Sequence, residues 1–192
     1  MRSGYYQAYY RAYRRPDRVG FVPDAARIAP AGDHNAAMPE AVWFAELPTL
    51  VAAAAALFTD PAGRVLLVKP NYRDHWSLAG GILEHGEPPH VGCRREVSEE
   101  LGLDFEPGPL LAVGWVAPDG ARTKPVVHFV FDGGLLADGT QIQLQSSELD
   151  DYRFVDTGDL DRYLPPVISA RVAAALRSRG TGVTGYLPWP GS

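Results

Sequence analysis

The stretch "GILEHGEPPHVGCRREVSEELGL", residues 81–103, decides the fold, and it ends in a concentration of negative charge. Glu96, Glu99 and Glu100 occupy positions i, i+3 and i+4, so a helix presents all three on one side. Like charges at that spacing repel each other by roughly 0.2–0.5 kcal/mol per pair on an exposed helix, and more where they are partly buried. The cluster therefore needs either full solvation or a compensating positive charge.

The spacing of the surrounding residues predicts a helix over 88–101, because two prolines suit its first turn and Gly102 suits its stop. Cys93, Val97 and Leu101 recur at i, i+4 and i+8, which gives an apolar stripe that packs on a sheet. We interpret the lone cysteine as a small core residue rather than a nucleophile. The glutamate face carries one sign only, whereas exposed helices usually alternate in sign.

A double glycine, Gly80 and Gly81, ends the short extended run "WSLAGGI" just before this helix. Glycine at such a point lets the backbone turn tightly or approach another group closely. Backbone carbonyls then lie near the carboxylate cluster, and together these are the oxygen ligands that a hard divalent cation prefers. A cation among the glutamates changes their repulsion into attraction, so the sequence predicts a metal site here.

Apolar runs predict strands on both sides of this helix. "TLVAAAAALFTD" and "PAGRVLLVKP" indicate two strands joined by a turn at residues 60–63, and "LLAVGWV", "VVHFVFDGG" and "YRFVD" indicate further strands. A second helix is predicted from Pro165 or Pro166 through "VISARVAAALRSR", with Gly180 as its stop. This order of elements indicates an α/β fold in which a mixed sheet lies between helices.

The chain is predicted to have three parts. Residues 1–48 form an N-terminal extension, Tyr/Arg-rich and then an Ala/Pro-rich linker, residues 49–180 form the domain, and residues 181–192 form an irregular tail. On a helical wheel the five tyrosines of "SGYYQAYYRAYRRP" share one face opposite arginines, and Pro16 ends any such helix. This front segment either docks its tyrosines on another surface, is a disordered leader, or contacts nucleic acid.

Composition limits the class of protein. The chain has 192 residues, a formal net charge of −5 and a single cysteine. The acidic balance argues against wholesale polyanion binding, and one cysteine excludes an intrachain disulfide framework. No apolar run reaches the roughly 18 residues of a membrane span, and the N-terminus lacks the apolar core of a signal peptide. We expect a soluble protein of the cytoplasm.

The opening stretch matches a known signature. Gly81, Glu87 and the run "REVSEELGL" agree with G-x5-E-x7-R-E-U-x-E-E-x-G-U, where U is aliphatic, at all nine specified positions. This signature is the Nudix box, and the chain resembles Nudix hydrolases over about residues 50–180. The resemblance implies a Nudix-type α/β/α sandwich. One departure is Ala79, where many members have proline; it loosens the turn but leaves the carboxylates in place.

The resemblance also implies roles for individual residues. The cofactor is expected to be Mg²⁺ or Mn²⁺, and its implied ligands are Glu96, Glu99, Glu100 and the backbone carbonyl of Gly80. Arg95 is implied to orient these carboxylates, and the residues implied to support the box and its loop are Gly81, Glu87 and Gly102. We expect Glu96 or Glu99 to take the proton of the attacking water.

A further acidic residue is implied late in the chain, where "ELDDYRFVD" resembles the segment in which an acid precedes an aromatic-led strand. Glu148, six residues before Phe154, is the candidate that completes the metal site or acts as base. Asp150 and Asp151 are rivals for that role.

Residues outside the box are assigned to the substrate by their chemistry. Arg73 and Lys69 are candidate phosphate partners, and Trp76 is a candidate for stacking on a base. Four histidines lack the spacing of metal ligands, and we interpret them as incidental: His75, His85, His90 and His128.

The predicted reaction is divalent-metal-dependent hydrolysis of a diphosphate linkage in a nucleoside diphosphate linked to a moiety X, of the nucleotide sugar, ADP-ribose or (d)NTP type. The expected partner is that small molecule, with no membrane, nucleic acid disfavoured, and a homodimer allowed. One alternative is a nucleic-acid-end (cap-type) hydrolase or RNA binder that uses the Tyr/Arg segment. Another is a non-catalytic Nudix-fold nucleotide-sensing regulator, against which the intact box argues.

Overall fold

The computed structural model describes residues 40–189. The chain divides into two compact units between Pro48 and Thr49. The described part of the first unit contains a short helix, α1, Glu40–Ala45, which the sequence did not predict. The Tyr/Arg-rich segment and the residues of the linker before position 40 lie outside the described residues, so the alternatives for that segment stay open.

The second unit is built on a seven-stranded mixed sheet with the order β6-β2-β1-β5-β4-β7, and β3 pairs with β1 beside that path. In chain order its elements are β1 Val51–Thr59, β2 Val65–Pro70, β3 Ala79–Ile82, α2 Pro89–Leu101, β4 Leu110–Val116, β5 Val126–Leu135, β6 Leu149–Val155, a 3-10 helix Thr157–Arg162, α3 Pro166–Thr181 and β7 Gly185–Trp189. Throughout residues 40–189, none of the helices is long and apolar enough to cross a bilayer.

The alanine run forms β1, which lies in the middle of the sheet between β2 and β5. β1 pairs antiparallel with β2 and β3 and parallel with β5, so both of its edges are hydrogen-bonded within the sheet. Leu57 packs on one face with residues of α3, and Phe58 packs on the other face with residues of α2. The alternation puts one helix on each face of the sheet, so the predicted arrangement of a mixed sheet between helices is confirmed.

Helix α2 follows its prediction closely. Cys93, Val97 and Leu101 are fully buried against the sheet. Gly102 takes a left-handed conformation with φ 64°, and its N–H donates to the carbonyl of Ser98, which ends the helix. Burial raises the pKa of the Cys93 thiol to about 12, so the thiol stays protonated at neutral pH and has no role as a nucleophile.

Two predictions about the end of the chain are wrong. Helix α3 continues through Gly180 and ends at Gly182, because Gly182 takes the left-handed conformation with φ 72° and donates to Ser178 at 2.7 Å. The tail is not irregular, since Gly185–Trp189 forms β7, which pairs parallel with β4. Its short "GYLPW" sequence has no clear alternation, and the strand is defined by its partner β4 rather than by a pattern of its own.

Candidate active site

A cleft of about 380 Å³ opens in the second unit, and its lining comes from β1, β3, β5, α2 and α3. The structure brings together on this cleft six of the residues predicted from the sequence: Arg73, Gly80, Gly81, Glu96, Glu100 and Glu148. The elements that carry them are fixed by the sheet, because β3 pairs with β1 and α2 packs on both strands. The predicted site residues therefore converge although they are spread over half of the chain.

The double glycine places two carboxylates at the mouth of the cleft. Gly80 has φ 137°, and any Cβ there would collide with the carbonyl oxygen of Ala54 on the neighbouring strand. Its N–H donates to Glu100 Oε2 at 2.7 Å. A Cβ on Gly81 would lie 2.5 Å from the carboxyl group of Glu96. Gly80 thus permits the close strand pairing, and Gly81 leaves the space that the Glu96 carboxylate occupies.

Arg95 lies among three carboxylates and holds them together. Its guanidinium donates two hydrogen bonds to Glu87, at 2.9 and 3.0 Å, in the bidentate arrangement that favours arginine over lysine. Its Nη1 donates to Glu96 at 3.0 Å and to Glu99 at 3.1 Å. Glu87 also accepts the backbone N–H of Glu84 at 2.9 Å. The Arg95 side chain therefore ties the loop before α2 to the glutamate face of the helix.

The pKa values of these carboxyl groups move in opposite directions. Hydrogen bonds from Arg95 lower the pKa of Glu87 to about 2. Burial raises the pKa of Glu100 to about 8, against the hydrogen bond from Gly80 and with the help of nearby negative charges on Glu96, Glu148 and Glu99. Burial also raises the pKa of Glu96. Negative charge is thus unfavourable at the buried end of the cluster unless a positive group joins it.

The donor set at this end of the cleft fits a divalent cation. The negative charges of Glu96 and Glu148 help to raise the pKa of Glu100, and that of Glu148 helps to raise the pKa of Glu96, which is the repulsion that a cation would relieve. Within residues 40–189, no three His, Cys, Asp or Glu side chains already form an arranged metal site. Glu99 does not line the cleft, because its half-exposed carboxylate pairs with Arg95.

Glu148 and its two rivals occupy different surroundings. All three residues are exposed, but Glu148 lines the cleft, whereas Asp150 and Asp151 belong to β6 and lie outside it. Asp151 accepts the backbone N–H of Tyr152 at 2.8 Å. The carbonyl of Glu148 accepts the backbone N–H of Asn71 at 2.9 Å, which anchors the loop before β6 at the cleft. The geometry therefore favours Glu148 as the late acidic residue.

Of the three predicted substrate residues, the structure places one at the cleft. Arg73 lines it and stacks over the ring of Tyr72 at 5.2 Å. Lys69 donates from Nζ to the carbonyls of Pro70 and Arg73 and lies outside the cleft. Trp76 is also outside, packed edge-on against Tyr163 with a ring distance of 5.8 Å. In this structure the contacts of these two side chains are therefore with the protein itself, and their assignment to the substrate stays a prediction.

Sequence reasoning missed three residues that line the cleft: Arg122, His128 and Arg171. Two signals in the sequence could have found the last two. His128 stands between Val126 and Val130, which are both buried, on the same face of β5. Arg171 shares the buried face of α3 with small residues at i+3, i+4 and i+7, namely Ala174, Ala175 and Ser178. A charged residue on a core-facing stripe is unusual enough to indicate a site.

The NUDIX domain family matches residues 49–175. The putative ADP-ribose pyrophosphatase YjhB of Bacillus subtilis (strain 168) is 44% identical over 50 residues, which are 26% of this chain and 24% of that protein. A MutT-like protein of Streptomyces ambofaciens is 28% identical over 128 residues, 65% of this chain and 75% of that protein. The fold is similar to the crystal structure of the MutT protein from Methanosarcina mazei Go1, with a TM-score of 0.60 and 25% sequence identity. The similarity covers 70% of this chain and 97% of that chain.

The chain belongs to the NUDIX domain family, because the family match covers more than half of its length. The predicted family and the predicted Nudix fold are confirmed by this match and by the agreement with the MutT structure. The predicted enzyme class, a Nudix pyrophosphohydrolase, agrees with the family match and with the matched MutT structure. Members of the family generally use a divalent metal. The match to the Bacillus protein spans about a quarter of that relative's length.

Proposed function

We propose that the chain hydrolyses the diphosphate linkage of a nucleoside diphosphate joined to a moiety X, with Mg²⁺ or Mn²⁺ as its cofactor. One observation carries the proposal: the carboxylates of Glu96, Glu100 and Glu148 line a single cleft beside the Gly80–Gly81 turn. Glu100 is buried beside the negative charges of Glu96 and Glu148, and a buried carboxylate in such surroundings is stabilised in its ionised form by a cation.

The roles of the chain's own residues follow from their contacts. Glu96, Glu100 and the carbonyl of Gly80 would hold the metal, with Glu99 joining them once it leaves Arg95. A bound divalent cation supplies masking of the diphosphate charge and a lower pKa of its bound water. Arg95 and Glu87 act as positioning residues, because their bidentate pair fixes the loop against α2. Gly81 leaves room for the Glu96 carboxylate before the loop, and Gly102 ends α2 after it.

The reaction balances with water as the only co-reactant. The water oxygen bonds to one phosphorus, the bridging P–O bond breaks, and a nucleoside monophosphate and phosphorylated X are released, or pyrophosphate where X is phosphate. The water proton passes to a carboxylate, for which Glu96 and Glu99 are the candidates. Glu96 is favoured of the two, since it lines the cleft and Glu99 does not. Glu148 faces the same space from the opposite loop.

ADP-ribose and nucleoside triphosphates are the substrates to test first. The Bacillus relative is named for ADP-ribose, and its 50 matched residues are 44% identical to this chain. The Streptomyces relative is named only as MutT-like. A cytoplasmic location and a homodimer stay predictions of the sequence.

A substrate panel with Mg²⁺ and Mn²⁺ tests the proposal most directly, comparing the wild-type chain with Glu100→Gln. The panel holds ADP-ribose, nucleotide sugars and (d)NTPs, and the release of phosphorylated products is measured. We expect at least one substrate to be hydrolysed, with kcat lower in Glu100→Gln by a factor on the order of 1,000. Glu106→Gln is the matched control, because Glu106 is exposed and pairs with Arg94. Equal turnover by wild type and Glu100→Gln would contradict the assignment.

The same panel separates the two alternative functions. A regulator would bind a panel nucleotide without releasing product at any metal concentration. A nucleic-acid-end hydrolase would act on capped RNA and lose that activity when residues 1–37 are deleted. Unchanged activity and unchanged RNA binding after that deletion would discard the nucleic-acid role.

A further inference from the structure

Three arginines line the cleft from elements other than β3 and α2, which carry Glu96 and Glu100: Arg73, Arg122 and Arg171. Within residues 40–189, none of the three forms an ion pair with an Asp or Glu side chain, although six other arginines do. We name this side, formed by β4, β5, α3 and the loops that carry Arg73 and Arg122, the basic wall. The side formed by β3 and α2, with Glu96 and Glu100, is the acidic wall.

Arg171 is the buried member of the basic wall. Its side chain is 8% exposed and projects from the core-facing stripe of α3. Its Nε lies over Gly114 of β4, where an added Cβ would be only 2.7 Å away. No nitrogen or oxygen of a described side chain is both fully buried and without a hydrogen-bond partner, so the Arg171 guanidinium keeps some access to the cleft. A nearly buried cation without a counterion is costly, which indicates that the cleft provides its partner.

His128 and Arg171 are both neighbours of Gly114 on β4. His128 stands on β5 directly opposite Gly114, the residue on which Arg171 rests. Burial lowers the pKa of His128 to about 3, together with the positive charges of Arg171, Arg73 and Arg122. The imidazole is therefore neutral at pH 7, while Arg171 stays charged because burial lowers its pKa only to about 10. The basic wall thus offers positive charge and one neutral hydrogen-bonding ring.

We propose that Arg171, seated on Gly114 and flanked by His128, binds a phosphate group of the substrate other than the diphosphate that is cut. The acidic wall and its cation would take the scissile diphosphate. Arg171 forms no ion pair with Glu96, Glu100 or Glu148, and we therefore assign it to a further anionic group of the same substrate. A guanidinium presents a planar fork of donors that matches two phosphate oxygens. The proposal rests on the proposed function for the reaction, but its own test needs no hydrolysis.

Binding of inorganic phosphate and of pyrophosphate in EDTA tests the subsite without the metal. Dissociation constants are measured by calorimetry for wild type, Arg171→Gln and Arg177→Gln. Arg177 is the matched control, since it is an exposed arginine on the same helix, outside the cleft. We expect wild type and Arg177→Gln to bind alike, and Arg171→Gln to bind at least about tenfold more weakly. No binding by wild type, or equal binding by Arg171→Gln, would overturn the proposal.

Gly114→Ala provides an independent variant that retains the arginine. The added Cβ would displace the Arg171 side chain from its position on β4. We expect weaker phosphate binding in Gly114→Ala, and no further weakening when it is combined with Arg171→Gln. Additive losses would contradict the seating of Arg171 on Gly114. Thermal unfolding of each variant shows whether it is folded, and Arg171→Lys, which keeps the charge, is expected to recover part of the affinity.

Pairs of substrates that differ by one phosphate identify its source. One pair is a deoxynucleoside diphosphate and its triphosphate, and the other is ADP-ribose and ADP-ribose with an additional phosphate on the adenosine ribose. Arg171→Gln should lower kcat/KM about tenfold more for the member with the extra phosphate in one of the two pairs. Equal losses within both pairs would overturn the proposal. Absence of all hydrolysis by wild type would instead contradict the proposed function, while the binding result in EDTA would stand.

Discussion

On the acidic wall of the cleft each charged side chain that shapes the site has a protein partner, whereas the arginines of the basic wall have no carboxylate partner within residues 40–189. Arg95 pairs with Glu87, Glu96 and Glu99, and Glu100 accepts the N–H of Gly80. Paired charges keep their geometry without a ligand, so the acidic wall is prepared in advance for its cation. Unpaired charges provide affinity only when their counterion arrives, so the basic wall is built to discriminate among ligands.

The two walls share one structural device. Each has a glycine on a strand that leaves room for a charged side chain from a helix: Gly81 for Glu96, and Gly114 for Arg171. In both cases the glycine is required by close approach of the side chain rather than by a left-handed backbone, since neither has a positive φ. The same substitution to alanine therefore tests both walls.

Among the substitutions that compare the two walls, the largest effect is expected for Gly81→Ala. An added Cβ would lie 2.5 Å from the Glu96 carboxyl group and force it away from the cleft. A displacement on the order of 1 Å at a catalytic carboxylate costs roughly 100-fold in rate, so we expect kcat to fall by about that factor. Steady-state kinetics with saturating Mg²⁺ measures this loss.

Gly114→Ala is the matched control for that prediction. It lies on the other wall, so we expect it to change KM for substrates with an additional phosphate and to leave kcat within about twofold. Equal losses of kcat in the two alanine variants would contradict the division of the cleft into a wall for chemistry and a wall for binding.

The difference between the walls also decides what the sequence could predict. The acidic wall comes from one continuous stretch, so helical periodicity and the spacing of its glutamates were sufficient to place Glu96 and Glu100 together. The basic wall joins Arg73, His128 and Arg171 from three distant segments through strand pairing. The pattern of residues within one segment does not show which distant strand it pairs with. The sequence therefore identified Arg73 alone among these residues, and only by its charge.

The same limit explains the errors elsewhere in the fold. The strands with strong apolar runs, such as β1 and β2, were predicted because burial on a sheet imposes their composition. The strand β7 was missed because its pairing with β4 depends on where α3 ends, and that end was placed at Gly180 instead of Gly182. Lys69 and Trp76 were assigned to the substrate by residue type, but loop carbonyls and Tyr163 are their partners.

The next prediction concerns the free energy of unfolding in the absence of metal, which should depend on pH through Glu100. The pKa of Glu100 is about 8 in the folded chain, against 4.5 for an ordinary glutamate. Between these values folding takes up a proton, so the free energy of unfolding falls as the pH rises from 4.5 to 8 and is constant above. Because one unit of pKa difference corresponds to about 1.4 kcal/mol, we expect a fall of several kcal/mol, up to about 5, measured by urea unfolding in EDTA.

Glu100→Gln should remove most of this fall, and Glu106→Gln, at an exposed position, should retain it. Mg²⁺ should raise the melting temperature of wild type above pH 7 and do so less in Glu100→Gln, because the cation compensates the charge that the glutamine lacks. Stability that rises from pH 5 to pH 8 in EDTA would show that the buried carboxylate is compensated by the protein alone.

The smallest effect is expected for Arg95→Lys, because it leaves the charge on the acidic wall and removes only its geometry. Lysine cannot reproduce the two parallel hydrogen bonds to Glu87 while also reaching Glu96. Loss of such a supporting contact costs about tenfold in kcat, and the affinity for phosphate in EDTA should not change, since the basic wall is intact. Arg94→Lys is the control, because Arg94 is next to Arg95 in the chain but is exposed and pairs with Asp104 and Glu106. If Arg95→Lys weakens phosphate binding as strongly as Arg171→Gln does, the two walls are coupled, and the hydrogen-bond geometry that Arg95 imposes on the acidic wall also shapes the phosphate subsite.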